Sequence, residues 1–319
     1  MNIVITGVCG FIGFSVARNL LKKKNIKVIG IDNINNYYST KLKKDRLKIL
    51  KRSKNFIFFK KDIEKENTFK DLISLKIDFF LHFAAQAGVR YSIKYPRKYL
   101  NSNIIGFFNV IDFCNKNKIK KLIYASSSSV YGENKIFPLK EKFNINPINF
   151  YGYSKKNNEE TAEIYSKLYN VRSIGLRFFT IYGEWGRPDM FMLKYLNFLF
   201  FKNPKFYLYN HGNHFRDFTY IGDAVNIIEK LIIKKQKNKH EIFNICSNSP
   251  IKITKIIELI NYYSKRKIKV KGTGLQLADI IKTHGDNKKI KNFTNYKRFT
   301  KIDNGIKNLI NWYIDYNKI

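Results

Sequence analysis

Cysteine is scarce in this 319-residue chain: Cys9, Cys114 and Cys246 stand alone, support neither a disulfide framework nor a thiolate metal site, and fit a reducing cytoplasm best. Histidine is nearly as thin. Of five, only His211 and His214 lie close together, in a stretch with Asn210 and Gly212 that reads as a turn, so no metal is expected. Long apolar runs are missing too. The longest, Met190–Phe201, is about twelve residues and contains Lys194, too short to span a bilayer. A strand expected from Asn2 leaves no room for a signal peptide. Acid is the last shortage, with 24 Asp and Glu against 60 Lys and Arg, a net charge of +36. Such an excess can mark a nucleic-acid or anionic membrane partner. Here only 11 of the 60 are Arg, the lysines scatter through every segment, and Asn, Ile, Phe and Tyr are in excess with them. That is the signature of an AT-rich genome, so no specific nucleic acid and no membrane are expected as partners.

What is present is a folded-protein composition, 44% hydrophobic and 16% aromatic. Asn2–Thr6, Lys27–Ile31, Phe56–Lys60, Phe79–Phe83, Lys121–Ala125 and Arg172–Arg177 read as short buried strands. Between them, helices are expected to about Leu21, over 41–51 (basic, with a solvated face), 66–75, 97–116 and 152–169. This alternation predicts an α/β fold on a doubly wound parallel sheet, with ligands beyond the carboxyl ends of the strands. Residues 182–218 and 247–300 break the rhythm, while Thr219–Ile233 (helix) and Ile242–Ile245 (strand) return to the core. The expected organisation is residues 1–180, joined by 219–246, as a dinucleotide-binding part, and 181–319 mainly as a substrate-binding part.

The first strand runs into GVCGFIG, placing Gly7, Gly10 and Gly13 before a helix with Phe11 and Ile12 between the last two glycines. Glycines let a backbone approach a pyrophosphate while the helix N-terminus faces its charge. The second strand ends at Asp32 and Asn33. A carboxylate there suits ribose hydroxyls and repels a 2′-phosphate, so NAD is favoured over NADP. Asp62 and Ile63, at the end of the third strand, can hold an adenine amino group.

Tyr124–Lys155 is the most distinctive stretch: YASSSSVYG, a loop, then YGYSK. Tyr151 and Lys155 are four residues apart and share one helix face. A phenol titrates near ~10 and needs roughly three units of depression, about 4 kcal/mol, to serve as a base at neutral pH. An ammonium at ~4 Å supplies about that much at an effective dielectric near 20.

The glycine spacing, Asp32, the serine run and YxxxK together resemble the extended short-chain dehydrogenase/reductase family. HFAAQAGVRYS, YASSSSVYG, LRFFTIYGEWGRPDM and RDFTYIGD sharpen the likeness to its nucleotide-sugar branch, most of all to UDP-glucuronate 4-epimerases. The likeness covers essentially the whole chain and is weakest over roughly the last twenty-five residues. It implies a Rossmann-type fold with a smaller C-terminal substrate-binding part, NAD as cofactor and a UDP-sugar as substrate. By that resemblance Tyr151 is the base, Lys155 its partner and the anchor of the nicotinamide ribose, and Ser127 the proton-shuttling hydroxyl. Ala84, Ala85, Gln86 and Asn103 would line the cofactor, with Phe178 near the nicotinamide. Arg90, Ser128, Ser129, Thr180, Arg187, Arg216, Gln276 and Asp279 would face the nucleotide sugar, although QLAD at Gln276–Asp279 departs from a more usual QPGD-like turn. Arg187 and Thr180, with Ser128 and Ser129 opposite, are the candidates for holding a sugar carboxylate. The helices over 97–116 and 152–169 would pair two copies in a four-helix bundle, giving a homodimer.

Within the resemblance, sister 4,6-dehydratases carry Asp-Glu in place of Ser128-Ser129, and sister decarboxylases a Glu in place of Ser129. Without these acids, epimerisation is what remains. Two alternatives stay open, a 4-epimerase of neutral UDP-sugars and a basic RNA-binding protein on the same fold.

Overall fold

Seven short runs rich in Val, Ile, Leu and Phe assemble into one parallel sheet, as expected of strands buried on both faces. The computed structural model describes residues 1–201, 205–276 and 279–319. In chain order the strands are β1 (Asn2–Thr6), β2 (Lys27–Asp32), β3 (Phe56–Lys60), β4 (Phe79–His82), β5 (Lys121–Ser127), β6 (Ser173–Phe178), β7 (Thr180–Tyr182), β8 (Phe206–Tyr209), β9 (Phe215–Tyr220), β10 (His240–Ile245), β11 (Pro250–Lys252) and β12 (Val270–Thr273). The large sheet has the order β10-β6-β5-β4-β1-β2-β3. This is the doubly wound Rossmann-type arrangement. β11-β9-β7 and β12-β8 form two smaller sheets beyond it.

The helices are α1 (Phe11–Leu20), α2 (Thr40–Leu50), α3 (Val89–Lys94), α4 (Pro96–Tyr99), α5 (Gly106–Lys116), α6 (Phe150–Tyr169), α7 (Phe191–Phe200), α8 (Ile221–Ile233), α9 (Ile253–Ser264), α10 (Lys288–Thr294) and α11 (Ile302–Asn317). Buried residues of α1 and α8 pack on one face of the large sheet, and those of α5 and α6 on the other. A third core joins α7, α9 and α11 to β8. Among the described residues, no helix is long and apolar enough to cross a membrane.

Four expected elements differ. The helix expected over 97–116 is divided by a π-helical stretch, Leu100–Ile105, into α4 and α5. Residues 66–75 hold only one 3-10 turn, Lys70–Leu72, because successive amides bond three residues back, as in Leu72 N to Phe69 O at 2.9 Å. Thr219 and Tyr220 extend β9, and the helix begins at Ile221. The basic helix over 41–51 is not merely a solvated face: Lys43 and Arg46 are buried with Leu42, Leu47 and Leu50.

Candidate active site

The glycine loop turns at the carboxyl end of β1. Gly7 sits at φ +69°, and a Cβ there would lie 2.6 Å from the Ala84 amide nitrogen, so only glycine lets the loop close against the end of β4. Helix α1 starts with Gly10 as a cap without a side-chain hydrogen bond and has no acid in its first turn. Its first amides therefore carry no internal counter-anion. Gly7, Gly10, Phe11, Ile12 and Gly13 line a cleft of about 380 Å³. Asp32 lines the same cleft. Its Oδ2 accepts from the Cys9 amide at 2.9 Å and its Oδ1 from the Ile34 amide at 2.8 Å. Burial pushes its pKa up, and these two amides draw it back. Each oxygen keeps a lone pair for a ribose hydroxyl. The bare glycine cradle, the free helix terminus and Asp32 fit NAD: the loop would hold its pyrophosphate and Asp32 its adenosine ribose.

The candidate reacting groups, Ser127, Tyr151 and Lys155, line the same cleft. β5 ends at Ser127, and α6 begins at Phe150 under an Asn149 cap that accepts from the Gly152 amide at 2.8 Å. A Cβ on Gly152 would lie 2.6 Å from the Ser129 carbonyl oxygen, so this glycine lets α6 start hard against the serine turn. Ser127, Tyr151 and Lys155 are thereby brought into one cleft wall. The Ser127 Oγ accepts from the Ser129 amide at 3.1 Å. Lys155 is buried, with its Nζ donating to the Ala125 carbonyl at 2.8 Å. Burial pulls its pKa down to about 7, against an upward pull from Glu159. Burial pushes the Tyr151 phenol up, while a hydrogen bond with Ser127 and the charge of Arg187 pull it down. The Lys155 ammonium is turned to a strand carbonyl, and the pull that opposes burial of the phenol comes from Ser127 and Arg187.

Asn33, Ile63, Ala84, Ala85, Gln86, Phe178, Thr180, Ser128, Ser129 and Arg187 also line the cleft. Asn103 and Asp62 stand behind its wall. Asn103 lies in a π-helical turn, Leu100–Ile105, that joins α4 to α5. It accepts from the Gln86 amide at 2.8 Å and donates to the Gln86 carbonyl at 3.0 Å and to Ser154 Oγ at 2.9 Å, so it fixes the wall against α6. The Asp62 carboxylate accepts from the Asn33 amide group at 3.0 Å.

Arg187 is not a free fork. Its Nε and Nη2 bond both Asp189 oxygens, at 3.0 and 2.5 Å, and Tyr37 adds a 3.1 Å hydrogen bond to the same carboxylate. This guanidinium, a candidate for holding a sugar carboxylate, is engaged by Asp189 within the protein.

Arg90, Arg216, Gln276 and Asp279 form a separate group outside the cleft wall. Arg90 Nη2 lies 2.9 Å from Asp279 Oδ2, with its guanidinium over the Tyr209 ring at 4.3 Å. Arg216 donates to the Phe215 and Ile281 carbonyls, both at 3.0 Å. Burial presses its pKa down, with Asp279 opposing and Arg90 adding to the fall. The Gln276 carbonyl accepts from the Asp279 amide at 3.2 Å. The middle of the QLAD turn, Leu277 and Ala278, lies outside the described residues.

Sequence reading missed several neighbours. His214 is buried with its Nε2 3.6 Å from Asp279 Oδ2 and, among the described residues, without a hydrogen-bond partner at that nitrogen. Lys43 lines the cleft and donates to Asn35 twice at 2.7 Å. Arg46 Nη1 donates to the Cys9 carbonyl at 2.8 Å and the Tyr38 hydroxyl at 2.7 Å. Its Nη2 donates to the Trp185 and Gly186 carbonyls at 2.5 and 3.0 Å. The spacing of the buried positions 43, 46, 47 and 50 is helical and could have placed both cations on the inner face of α2.

The family described as NAD dependent epimerase/dehydratase matches residues 3–246. An uncharacterised protein of Methanocaldococcus jannaschii is 42% identical over 98% of this chain and 96% of its own. UDP-glucuronate 4-epimerase 2 of Arabidopsis thaliana is 35% identical over 100% of this chain and 77% of its own. The crystal structure of UDP-glucuronic acid 4-epimerase from Bacillus cereus, in complex with UDP-glucuronic acid and NAD, superposes with a TM-score of 0.92 at 28% identity, covering 99% of this chain and 100% of that one. With this loop, this wall and these relatives, the chain belongs to the NAD-dependent epimerase/dehydratase family and is an enzyme with NAD as its cofactor.

Proposed function

We propose that the protein is a UDP-sugar 4-epimerase that interconverts UDP-glucuronate and UDP-galacturonate. The observation that carries this reading is the meeting of Ser127, Tyr151 and Lys155 in one cleft with the glycine loop, with Ser128 and Ser129 beside them in place of acids. When bound, NAD takes up a hydride from carbon 4 of the sugar and returns it, so it is not consumed. Tyr151 receives the proton of the 4-hydroxyl through or beside Ser127, and Lys155 holds positive charge beneath it. The 4-keto sugar then turns about its link to the diphosphate and presents its other face, and Tyr151 returns the proton to the new hydroxyl. Serines at 128 and 129 cannot supply the acid needed to expel a 6-hydroxyl, which keeps the chemistry at carbon 4.

Arg216, depressed by burial and by Arg90, is suited to a diphosphate that would restore its charge balance. For the sugar carboxylate, Thr180 and the hydroxyls of Ser128 and Ser129 are the direct contacts, and Arg187, held on Asp189, lines the same cleft and would exchange that partner for the substrate. Two copies pair through α5 and α6, on which Phe108, Ile164 and Leu168 are exposed; sedimentation of the purified protein tests that pairing. The deciding experiment is incubation of the NAD-loaded protein with a panel of UDP-sugars, followed by separation of products. Conversion of UDP-glucuronate well above that of UDP-glucose is expected. Equal turnover of both would move the assignment to a neutral-sugar epimerase, and no conversion of any UDP-sugar would overturn the epimerase reading.

A further inference from the structure

We infer that Glu159 is a positioning residue for the reacting pair: its buried carboxylate keeps the Lys155 ammonium charged and fixes the end of β5 that carries Ser127. The inference rests on the roles proposed for Tyr151 and Lys155. Tyr151, Lys155 and Glu159 lie on successive turns of α6, one above the other. Glu159 Oε1 accepts from Ser126 Oγ at 2.5 Å and from Arg177 Nε at 2.9 Å, and its Oε2 accepts from Arg177 Nη2 at 2.7 Å. The Arg177 and Glu159 side chains are only 5% and 6% exposed, so the pair is closed to solvent. Arg177 is held in turn by the Glu141 carbonyl at 3.1 Å and by the Tyr131 ring, 4.7 Å from its guanidinium.

A closed ion pair of this kind gains little stability over well-packed apolar residues, because both ions lose their water. Its placement is more telling. Ser126, which Glu159 grips, lies between Ala125, whose carbonyl takes Lys155 Nζ, and Ser127. One carboxylate therefore holds the short piece of strand on which both partners of the reacting pair depend. Lys155 shares its helix with Tyr151 and Glu159, its charge acts on His82 of β4, and Arg177 of β6 stands behind Glu159. His82 is neutral, its pKa driven down to about 3 by burial and by the charge of Lys155 itself. Glu159 is the anion that opposes the burial of Lys155.

Two variants of the NAD-loaded enzyme separate charge from reach. Glu159→Gln keeps the shape and loses the charge. The alkaline limb of kcat, where Lys155 gives up its proton, should then move to lower pH by about one unit. Glu159→Asp keeps the charge and loses reach, so kcat should fall several-fold with the limb in place. NAD content should be unchanged in both. If Glu159→Gln alone does not fold around an unpaired Arg177, Glu159→Gln/Arg177→Met removes both charges and should show a smaller shift in the same direction. A melting series needs no substrate: the Tm gap between the unmodified protein and the Gln variant should narrow as pH rises through about 7, since the lost attraction matters only while Lys155 is charged. A narrowing gap in a protein that converts no UDP-sugar would count against the epimerase reading and not against the Glu159–Lys155 coupling. A limb and a Tm gap that do not move, or failure of both Gln-bearing proteins to fold, would overturn the inference and leave Glu159 as scaffold only.

Discussion

At one end of the cleft, Ser127, Tyr151 and Lys155 come from a strand terminus and a single helix, and they bond to backbone groups and neutral hydroxyls. By contrast, Arg187 in the cleft lining and Arg90 and Arg216 outside it come from three separate segments and are held by carboxylates and loop carbonyls. The first arrangement keeps a few atoms in place whether or not a ligand is bound, which suits proton transfer over short distances. The second parks charge on internal partners, which under the proposed function an anionic ligand would replace. Under the proposed function, chemistry would be set by burial and recognition by exchange of partners.

Four perturbations sharpen or break that contrast. Tyr151→Phe should fold, keep NAD and lose roughly 10²–10⁴ in kcat, the usual worth of a positioned acid–base group. Full turnover in that variant would remove Tyr151 from the chemistry. Arg216→Leu should raise KM for the UDP-sugar by about 10–100-fold, the worth of a hydrogen bond to a charged group, with a much smaller change in kcat. The reverse split would place Arg216 with the reacting groups. Arg187→Leu should lower kcat/KM for UDP-glucuronate about tenfold and that for UDP-glucose little, as expected for loss of one charge-assisted contact; equal losses on both sugars would show that Arg187 serves only to hold Asp189. Raising salt from 0.05 to 0.5 M, which shortens the screening length several-fold, should raise KM by roughly 2–5-fold and leave kcat nearly constant. A kcat that tracks salt as closely as KM would erase the distinction between the two sets.

The reacting end was the more legible in sequence for a physical reason. Its residues sit at fixed spacings along regular elements, so GVCGFIG, the serine run and YGYSK each announce a local geometry. The parallel sheet was legible on the same grounds, since strands buried on both faces are continuous apolar runs. The 66–75 segment misled because buried Phe69 and Leu72 imitate a helical period, while the backbone there forms only linked turns. The recognition residues could not be read this way. Arg90 and Asp279 are 189 residues apart, and Tyr37 meets Asp189 across 152, so nothing local signals either contact. Resemblance named Arg90, Arg187 and Asp279, but not that they are already engaged within the protein. Glu159 was overlooked because its meaning depends on Arg177 and Ser126, both on neighbouring strands.

Arg46 carries a consequence for how this protein can be altered. One guanidinium bonds the Cys9 carbonyl in the nucleotide loop and the Trp185 and Gly186 carbonyls just ahead of Arg187. Trp185 itself is at φ +60°, a backbone state that a non-glycine residue keeps only when its surroundings hold it. The two loops are therefore not interchangeable parts. A chimera that imports the GEWGRPDM segment from a relative to change sugar preference would also alter what the cofactor loop leans on. Grafts that bring their own counterpart of α2 should keep NAD in place, while grafts of the loop alone should release it.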